Sequence, residues 1–323
     1  MPQSKEEPGA DARRRARRPS RATARATAAP ASEGACTPAR TAAARRSAGS
    51  TGRARRALAA LATAVLVAAA AGAGPGAAGT TGDRTGFDRG LWGELLARYT
   101  TETDDTAGTR VDYAGLRHEP RWRTLIASVE AARPSALHTR AERIAWWIDV
   151  YNVLAIDTVV RHYPVDSIRD VGSFLSPVWK RTAATIEGRP VSLGEIEHRT
   201  LRPMGEPRIH AAIVCASTSC PPLARTPFLP STLDAQLDAQ VRRWLASPTK
   251  GVRIERAAGR IWLSPIFSWF EGDFERAGGV LAFVARYVSD DDRAWIEAHA
   301  EDAEVDFFDY DWSLNDWRRS ARR

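Results

Sequence analysis

Two cysteines, two histidines and a glutamate lie close together in the chain and could carry thiol chemistry. Glu197 and His198 are adjacent, His210 follows, and Cys215 and Cys220 come next. An imidazole beside a thiol can take up its proton, and an acid can orient that imidazole. We therefore predict that Cys215 is a nucleophile. His198 or His210 would be its base, with Glu197 orienting the imidazole.

Cys215 is preferred over Cys220 because of its place in the chain. The two prolines after Cys220 predict a rigid turn there. Cys215 instead ends an apolar stretch, residues 208–215, that reads as a buried strand, and it enters a loop of small and hydroxyl side chains. A nucleophile at such a junction is both fixed and reachable. The backbone N–H groups of residues 216–219 could form an oxyanion site.

Strand geometry limits the choice of base. In a regular strand His210 and Cys215 are five residues apart and face opposite sides, so a direct pair needs a distortion. His198, on the preceding helix, needs none. The alternative is that both histidines are hydrogen-bonded core residues.

Six further side chains are expected to bind or orient a substrate: Tyr151, Asn152, Arg208, Ser217, Ser219 and Trp269. Structural roles compete with these. Tyr151 and Asn152 would then satisfy backbone groups in the core, and Arg208 would form a buried ion pair with Glu197. In its predicted binding role, Trp269 would line a cleft for an unknown peptide, cell-wall or glycan ligand.

Thiol catalysis also competes with a structural use of the cysteines. A disulfide between Cys215 and Cys220 is plausible in an exported protein and would remove the nucleophile. A zinc site with His198 and His210 is a minor alternative, because the cysteine spacing fits metal sites poorly. No cofactor is expected. The rival function is a non-enzymatic peptide- or glycan-binding scaffold.

Composition separates a leader from a folded domain. All 11 Trp lie between Trp92 and Trp317, whereas residues 1–52 are rich in Arg and Ala. Such a leader has too little apolar bulk to fold, so we expect it to be disordered. Residues 1–56 carry a net charge of +10 and the whole chain +7, which leaves about −3 for the rest. The folded part thus has no basic footprint for specific nucleic-acid binding.

Residues 53–82 have the pattern of a signal peptide. Arginines precede an apolar run, residues 57–71, and small residues follow it. We expect export to the periplasm, the cell surface or the medium. A membrane anchor through residues 53–75 is the alternative if the run is not cleaved, although it is short for a span.

The elements that must position the site follow from hydrophobic periodicity. Residues 139–162 predict a central helix that is apolar over most of its circumference, and residues 86–99, 121–132 and 231–246 predict further helices. Hairpins are expected within residues 184–191 and 252–264, and a last strand at 305–310. Residues 85–318 thus predict a single α+β domain with a mixed or antiparallel sheet, in the manner of papain or transglutaminase.

Six blocks of this domain resemble, in order, the domain-of-unknown-function family 547. They are residues 147–152 (WIDVYN), 192–202, 207–210, 215–222, 266–274 and 310–315. The similarity covers about residues 85–318. One departure is Asp149, which stands where Asn is common. The resemblance implies that the chain contains this domain, but it implies no particular reaction.

Overall fold

A computed structural model describes residues 84–173 and 176–318. They belong to a compact unit, Thr80–Arg323. The predicted leader (1–52) and the predicted signal peptide or anchor (53–82) lie outside the described residues. Within the described part, no helix is long and apolar enough to cross a membrane.

The first part of the domain is mostly helical. In chain order it contains α1 (Arg89–Tyr99), β1 (Thr100–Glu102), β2 (Thr109–Val111), α2 (Tyr113–His118), α3 (Pro120–Ala131), α4 (Arg140–His162), β3 (Thr182–Ile186) and β4 (Arg189–Ser192). Strands β1 and β2 pair antiparallel, as do β3 and β4. The predicted helices at residues 86–99, 121–132 and 139–162 and the first predicted hairpin are confirmed to within a few residues.

The second part surrounds a small sheet. Its elements are α5 (Leu193–Glu195), α6 (Leu233–Leu245), β5 (Val252–Glu255), β6 (Arg260–Leu263), α7 (Pro265–Trp269), α8 (Glu271–Glu275), α9 (Val280–Ala285), α10 (Asp290–Ala298) and β7 (Glu304–Phe307). Strand β6 is antiparallel to β5 and parallel to β7. The predicted α+β domain with a mixed sheet is confirmed. Its likeness to papain or transglutaminase stays a prediction.

Helix α4 forms the centre of the larger hydrophobic core. Thr139 and Glu142 form a capping box at its start. Every residue from 148 to 160 is buried. Because this stretch exceeds three turns, all faces of the helix are covered by protein, as the periodicity predicts.

A second hydrophobic cluster lies beside the mixed sheet. Trp244, Phe267, Phe274 and Phe283 are fully buried in it, and the rings of Trp244 and Phe267 stack at 4.8 Å. Tyr310 packs against both this cluster and the larger core. The two cores therefore meet at Tyr310.

The predicted strand at residues 208–215 is wrong. Pro207–Ala211 is a 3-10 helix that begins with a proline, and the carboxylate of Glu206 accepts from the N–H of Arg208. Residues 212–215 continue without a strand partner in the described structure. A short apolar run cannot be assigned to a strand by periodicity alone, and here tertiary contacts decide.

Candidate active site

Four polar side chains form a compact group, here called the thiol cluster: Cys215, Cys220, Ser217 and Tyr310. The Sγ of Cys220 is 3.1 Å from the N–H of Cys215, 3.2 Å from the Ser217 hydroxyl and 3.2 Å from the Tyr310 hydroxyl. The Sγ of Cys215 is 3.3 Å from Ser217 Oγ and 3.5 Å from the Tyr310 hydroxyl. Cys220 is buried and Cys215 is partly exposed.

The C-terminal segment, residues 310–315, holds the loop that carries the cysteines, residues 215–220, here called the cysteine loop. The N–H groups of Thr218 and Ser219 donate to the carbonyls of Ser313 (2.7 Å) and Asp311 (3.2 Å). Two of the predicted oxyanion donors are therefore occupied. The N–H groups of Ala216 and Ser217 have no protein acceptor among the described residues, and Ala216 has a left-handed backbone with φ of 62°.

Asn152 positions the chain that leads into this loop. Its side-chain amide donates to the carbonyl of Ala212 (2.9 Å) and accepts from the N–H of Val214 (2.8 Å). Both polar atoms of the amide are thus bound to backbone. Asn152 is a positioning residue, and the predicted role in binding or orienting a substrate is not supported.

Ser219 and Ser217 have different surroundings. The Oγ of Ser219 accepts from the N–H of Asp311 at 2.9 Å, so Ser219 fastens the loop to the C-terminal segment. The Oγ of Ser217 instead lies inside the thiol cluster, 3.0 Å from the Tyr310 hydroxyl. Of the two predicted serines, only Ser217 contacts the sulfurs.

The surroundings shift the pKa values of the two thiols in opposite directions. Burial raises the pKa of Cys220, but hydrogen bonds with Cys215, Ser217 and Tyr310 outweigh it and hold that pKa below its ordinary value. The hydrogen bond with Cys220, and then burial, raise the pKa of Cys215 well above its ordinary value. Burial and the two thiols also raise the pKa of Tyr310, which keeps its proton available for donation. The pair therefore favours a thiolate on Cys220 and a thiol on Cys215.

Glu197 approaches the thiol cluster from a π-helix. Helix α5 continues into a π-helix at Ile196–Leu201, an irregularity that is frequent at functional sites. The Tyr151 hydroxyl is 3.5 Å from the buried Glu197 carboxylate. Burial raises the pKa of Glu197 to about 7, although Arg202 lowers it, and the negative charge of Cys220 raises it further. Tyr151 and Glu197 thus contact each other, and both interact electrostatically with Cys220.

Neither predicted histidine contacts a sulfur. His210 is buried, stacks on Phe270 at 4.2 Å, and its Nε2 is 2.8 Å from Asp273. Exposed His198 has its Nδ1 3.0 Å from Arg202. Burial lowers the pKa of both imidazoles. Among the described residues no hydrogen bond joins a thiol to an imidazole, so the predicted Cys–His pair is wrong for this arrangement.

Arg208 lies outside the thiol cluster. Its guanidinium binds Glu206 (2.7 Å), Asp234 (2.8 Å) and Asp238 (2.8 Å), which ties the 3-10 helix to α6. The predicted substrate-binding role is therefore not supported. The alternative ion pair with Glu197 is wrong as well.

Aromatic rings flank the thiol cluster, and we call Trp179, Trp269, Tyr310 and Trp312 the aromatic cluster. Trp269 and Trp312 stack with their centroids 5.8 Å apart, and Tyr310 is 4.5 Å from Trp312. Trp269 is 42% exposed. The guanidinium of Arg169 lies 5.1 Å from the centre of the Trp312 ring. The predicted cleft beside Trp269 stays a prediction.

Tyr310 and Lys250 are two site residues that the sequence did not reveal. The Nζ of Lys250 donates to the carbonyls of Thr218 and Cys220, next to the thiols. Tyr310 belongs to a recognisable block, but its separation of 90 residues from Cys220 hides their contact. Lys250 stands alone between a helix and a strand, without a motif around it. Both sulfurs are thiols in this structure, and the Cys215–Cys220 disulfide stays a prediction. In the described residues no group of three or more His, Cys, Asp or Glu side chains could hold a metal ion.

Comparison with known proteins agrees with the sequence blocks. Residues 134–245 match the model of a family described as "Protein of unknown function, DUF547". Neither the curated proteins nor the solved structures contain a match to the chain. The matched region includes α4, the π-helix and the cysteine loop. Residues 134–245 of the chain are thus similar to the DUF547 family.

Proposed function

We propose that the domain is a thiol-dependent hydrolase or acyl-transferase that acts on amide or peptide bonds, with Cys215 as the attacking sulfur. The observation that carries this proposal is the pairing of a partly exposed Cys215 thiol with a Cys220 sulfur that has three donors around it. A thiolate so placed can act as a base for its neighbour. The sequence-based choice of Cys215 is retained, and the base is reassigned.

The proposed reaction moves one proton within the thiol cluster. The Sγ of Cys215 bonds to the substrate carbonyl carbon, the carbonyl π electrons move to oxygen, and the thiol proton passes to the Cys220 thiolate. The N–H groups of Ala216 and Ser217 would donate to the resulting oxyanion. Collapse breaks the bond to the leaving group, which takes a proton from Cys220 or Glu197. Water or an acceptor amine then releases the acyl group.

Glu197 is the proposed acid for the leaving group. A carboxyl whose pKa is about 7 is protonated in a large fraction of molecules near neutral pH, which suits proton donation. His198 and His210 have no direct role in this scheme. His210 would instead hold Asp273 in place.

The proposed ligand is a peptide or a cell-wall or glycan amide, held against the aromatic cluster beside Cys215. Exposed Trp rings bind planar and apolar groups well. Action outside the cytoplasm is also part of the proposal, and it rests only on the signal-like residues 53–82.

The test uses the full chain with Cys36→Ser as background. Treatment with p-nitrophenyl acetate should give one acetyl group per chain, mapped by mass to the peptide of Cys215, and turnover should follow. Cys215→Ser should lose at least about 100-fold of the turnover. If Cys215→Ser retains full turnover, or the acetyl group maps to another residue, the proposal is wrong.

A non-enzymatic binding domain is the second candidate. The exposed Trp269 ring, stacked on Trp312, favours it because such a surface can bind a ligand without any reaction. In that case Trp269→Ala would weaken ligand binding, and Cys215→Ser would leave binding unchanged.

A further inference from the structure

Lys250 is a buried amine directly under the cysteine loop. Its side chain is only 2% exposed. Its Nζ donates to the carbonyls of Ala107 (2.8 Å), Thr218 (3.2 Å) and Cys220. Two of these carbonyls belong to the loop and the third to the connection between β1 and β2. All three ammonium protons thus have an acceptor.

A tight turn after α6 brings Lys250 to this place. The N–H of Gly251 donates to the carbonyl of Ser247 at 2.8 Å. A Cβ on Gly251 would come within 2.2 Å of the carbonyl oxygen of Trp244, so only glycine fits. The geometry of the turn fixes the direction in which Lys250 enters the core.

The described residues provide Lys250 with no carboxylate ion pair. Asp105 acts on it from the β1–β2 connection but is bound to Arg110 at 2.7 Å, and Arg243 adds positive charge from α6. A buried ammonium is costly without a negative partner, and carbonyl dipoles offset only part of that cost. Cys220, whose carbonyl Lys250 binds, is the other group whose negative charge acts on Lys250.

We infer that Lys250 is a positioning residue of the thiol cluster, which holds the cysteine loop through its carbonyls and stabilises the thiolate of Cys220 as its counter-ion. This inference rests on the proposed function, in which that thiolate receives the proton of Cys215. Burial lowers the pKa of Lys250 to about 7, although the negative charge of Cys220 opposes this shift. By linkage, the same interaction between the two groups stabilises the thiolate of Cys220.

The first test measures Lys250 itself. The chain has three lysines, Lys5, Lys180 and Lys250, so the side-chain resonances in a nuclear magnetic resonance titration are few enough to assign. In the full chain, Cys220→Ser should lower the titration midpoint of Lys250 by about one pH unit or more. The midpoint of Lys180 should not move. An unchanged midpoint for Lys250 would overturn the inference.

The second test measures the thiol. In the Cys36→Ser background, Lys250→Gln should reduce the ultraviolet thiolate absorbance near neutral pH, whereas Lys180→Gln, a matched exposed control, should leave it unchanged. A folded Lys250→Gln chain with the full thiolate signal would contradict the inference. If Lys250→Gln does not fold, the Cys220→Ser titration still decides. Loss of the thiolate signal together with persistent acyl transfer in Cys215→Ser would uphold the inference and refute the proposed function.

Discussion

At the residue scale, the thiol cluster depends on a donor that comes from far along the chain. The hydroxyl of Tyr310 is 3.2 Å from Cys220 Sγ and 3.5 Å from Cys215 Sγ. The spacing of the cysteines predicts that the two thiols are close. It cannot predict which sulfur is surrounded by donors, because one of those donors lies near the other end of the domain. The base of the proposed reaction is therefore visible only in the structure.

Tyr310→Phe should weaken the thiolate of Cys220 while keeping the ring in the aromatic cluster. A hydrogen bond to a charged group contributes about 1.5–3 kcal/mol, so the pKa of Cys220 should rise by about one unit or more. The measurement is the pH dependence of thiolate absorbance in the Cys36→Ser background. Tyr287→Phe is the matched control, because its hydroxyl binds Asp238 at 3.0 Å, outside the thiol cluster. An equal pKa for Cys220 in the two variants would rule out the donor role of Tyr310.

At the element scale, regular elements were predictable and irregular ones were not. Helix α4 has a periodic apolar pattern and a capping residue, and both are local signals. The segment at residues 208–215 lacks such a signal, since its path is set by Asn152 and by the 3-10 helix before it. The π-helix at Ile196–Leu201 likewise replaces the regular helix that is predicted to carry His198. The predicted Cys–His pair fails for this reason, because the positions of His198 and His210 depend on these irregular segments.

Asn152→Ala tests the connection between α4 and the cysteine loop. The substitution leaves the carbonyl of Ala212 and the N–H of Val214 without the amide, in a buried place where water replaces it poorly. We expect the free energy of unfolding to fall by about 2–5 kcal/mol. Denaturant unfolding measures this loss. Thr158→Val on the same helix is the control, because it removes one intrahelical bond to Leu154 and no contact with the loop.

Asn152→Ala should also change the thiols. Alkylation of Cys215 by iodoacetamide should become faster, because the chain leading into the loop loses both of its amide contacts. A stable variant with unchanged alkylation would show that Asn152 does not position the loop.

At the scale of the whole molecule, the site lies where segments from both ends of the domain meet. The N–H of Val111 donates to the carbonyl of Asn315 at 2.9 Å, and the Tyr113 hydroxyl donates to the Asn315 side chain at 2.6 Å. The same C-terminal segment then binds the cysteine loop through Ser313. The thiol cluster is thus coupled to the packing of both cores, and anything that loosens their contact should alter the thiols.

The buried carboxyl group of Asp149 should make the stability of the whole domain depend on pH. Its buried carboxylate accepts from Trp92 Nε1 (3.2 Å), the N–H of Phe228 (3.1 Å) and Arg89 Nε (3.3 Å), which joins α1, α4 and the chain before α6. Burial raises its pKa from 3.8 to about 7, although Arg89 lowers it. Between these two values the folded state binds more protons than the unfolded state. The free energy of unfolding should therefore fall as the pH rises through this window, by at most about 4 kcal/mol.

Asp149→Asn should reduce this pH dependence because an amide has no proton to lose in that range. We expect the unfolding midpoint of the native sequence to fall by several degrees between about pH 4 and about pH 7, and that of Asp149→Asn to fall less. Part of the dependence should persist, since burial raises the pKa of Glu197 to about 7 as well. Asp302→Asn, at an exposed turn, should behave like the native sequence. If Asp149→Asn shows the full native slope, the carboxylate of Asp149 is ionised in the folded domain throughout the window, and its contact with Arg89 outweighs its burial.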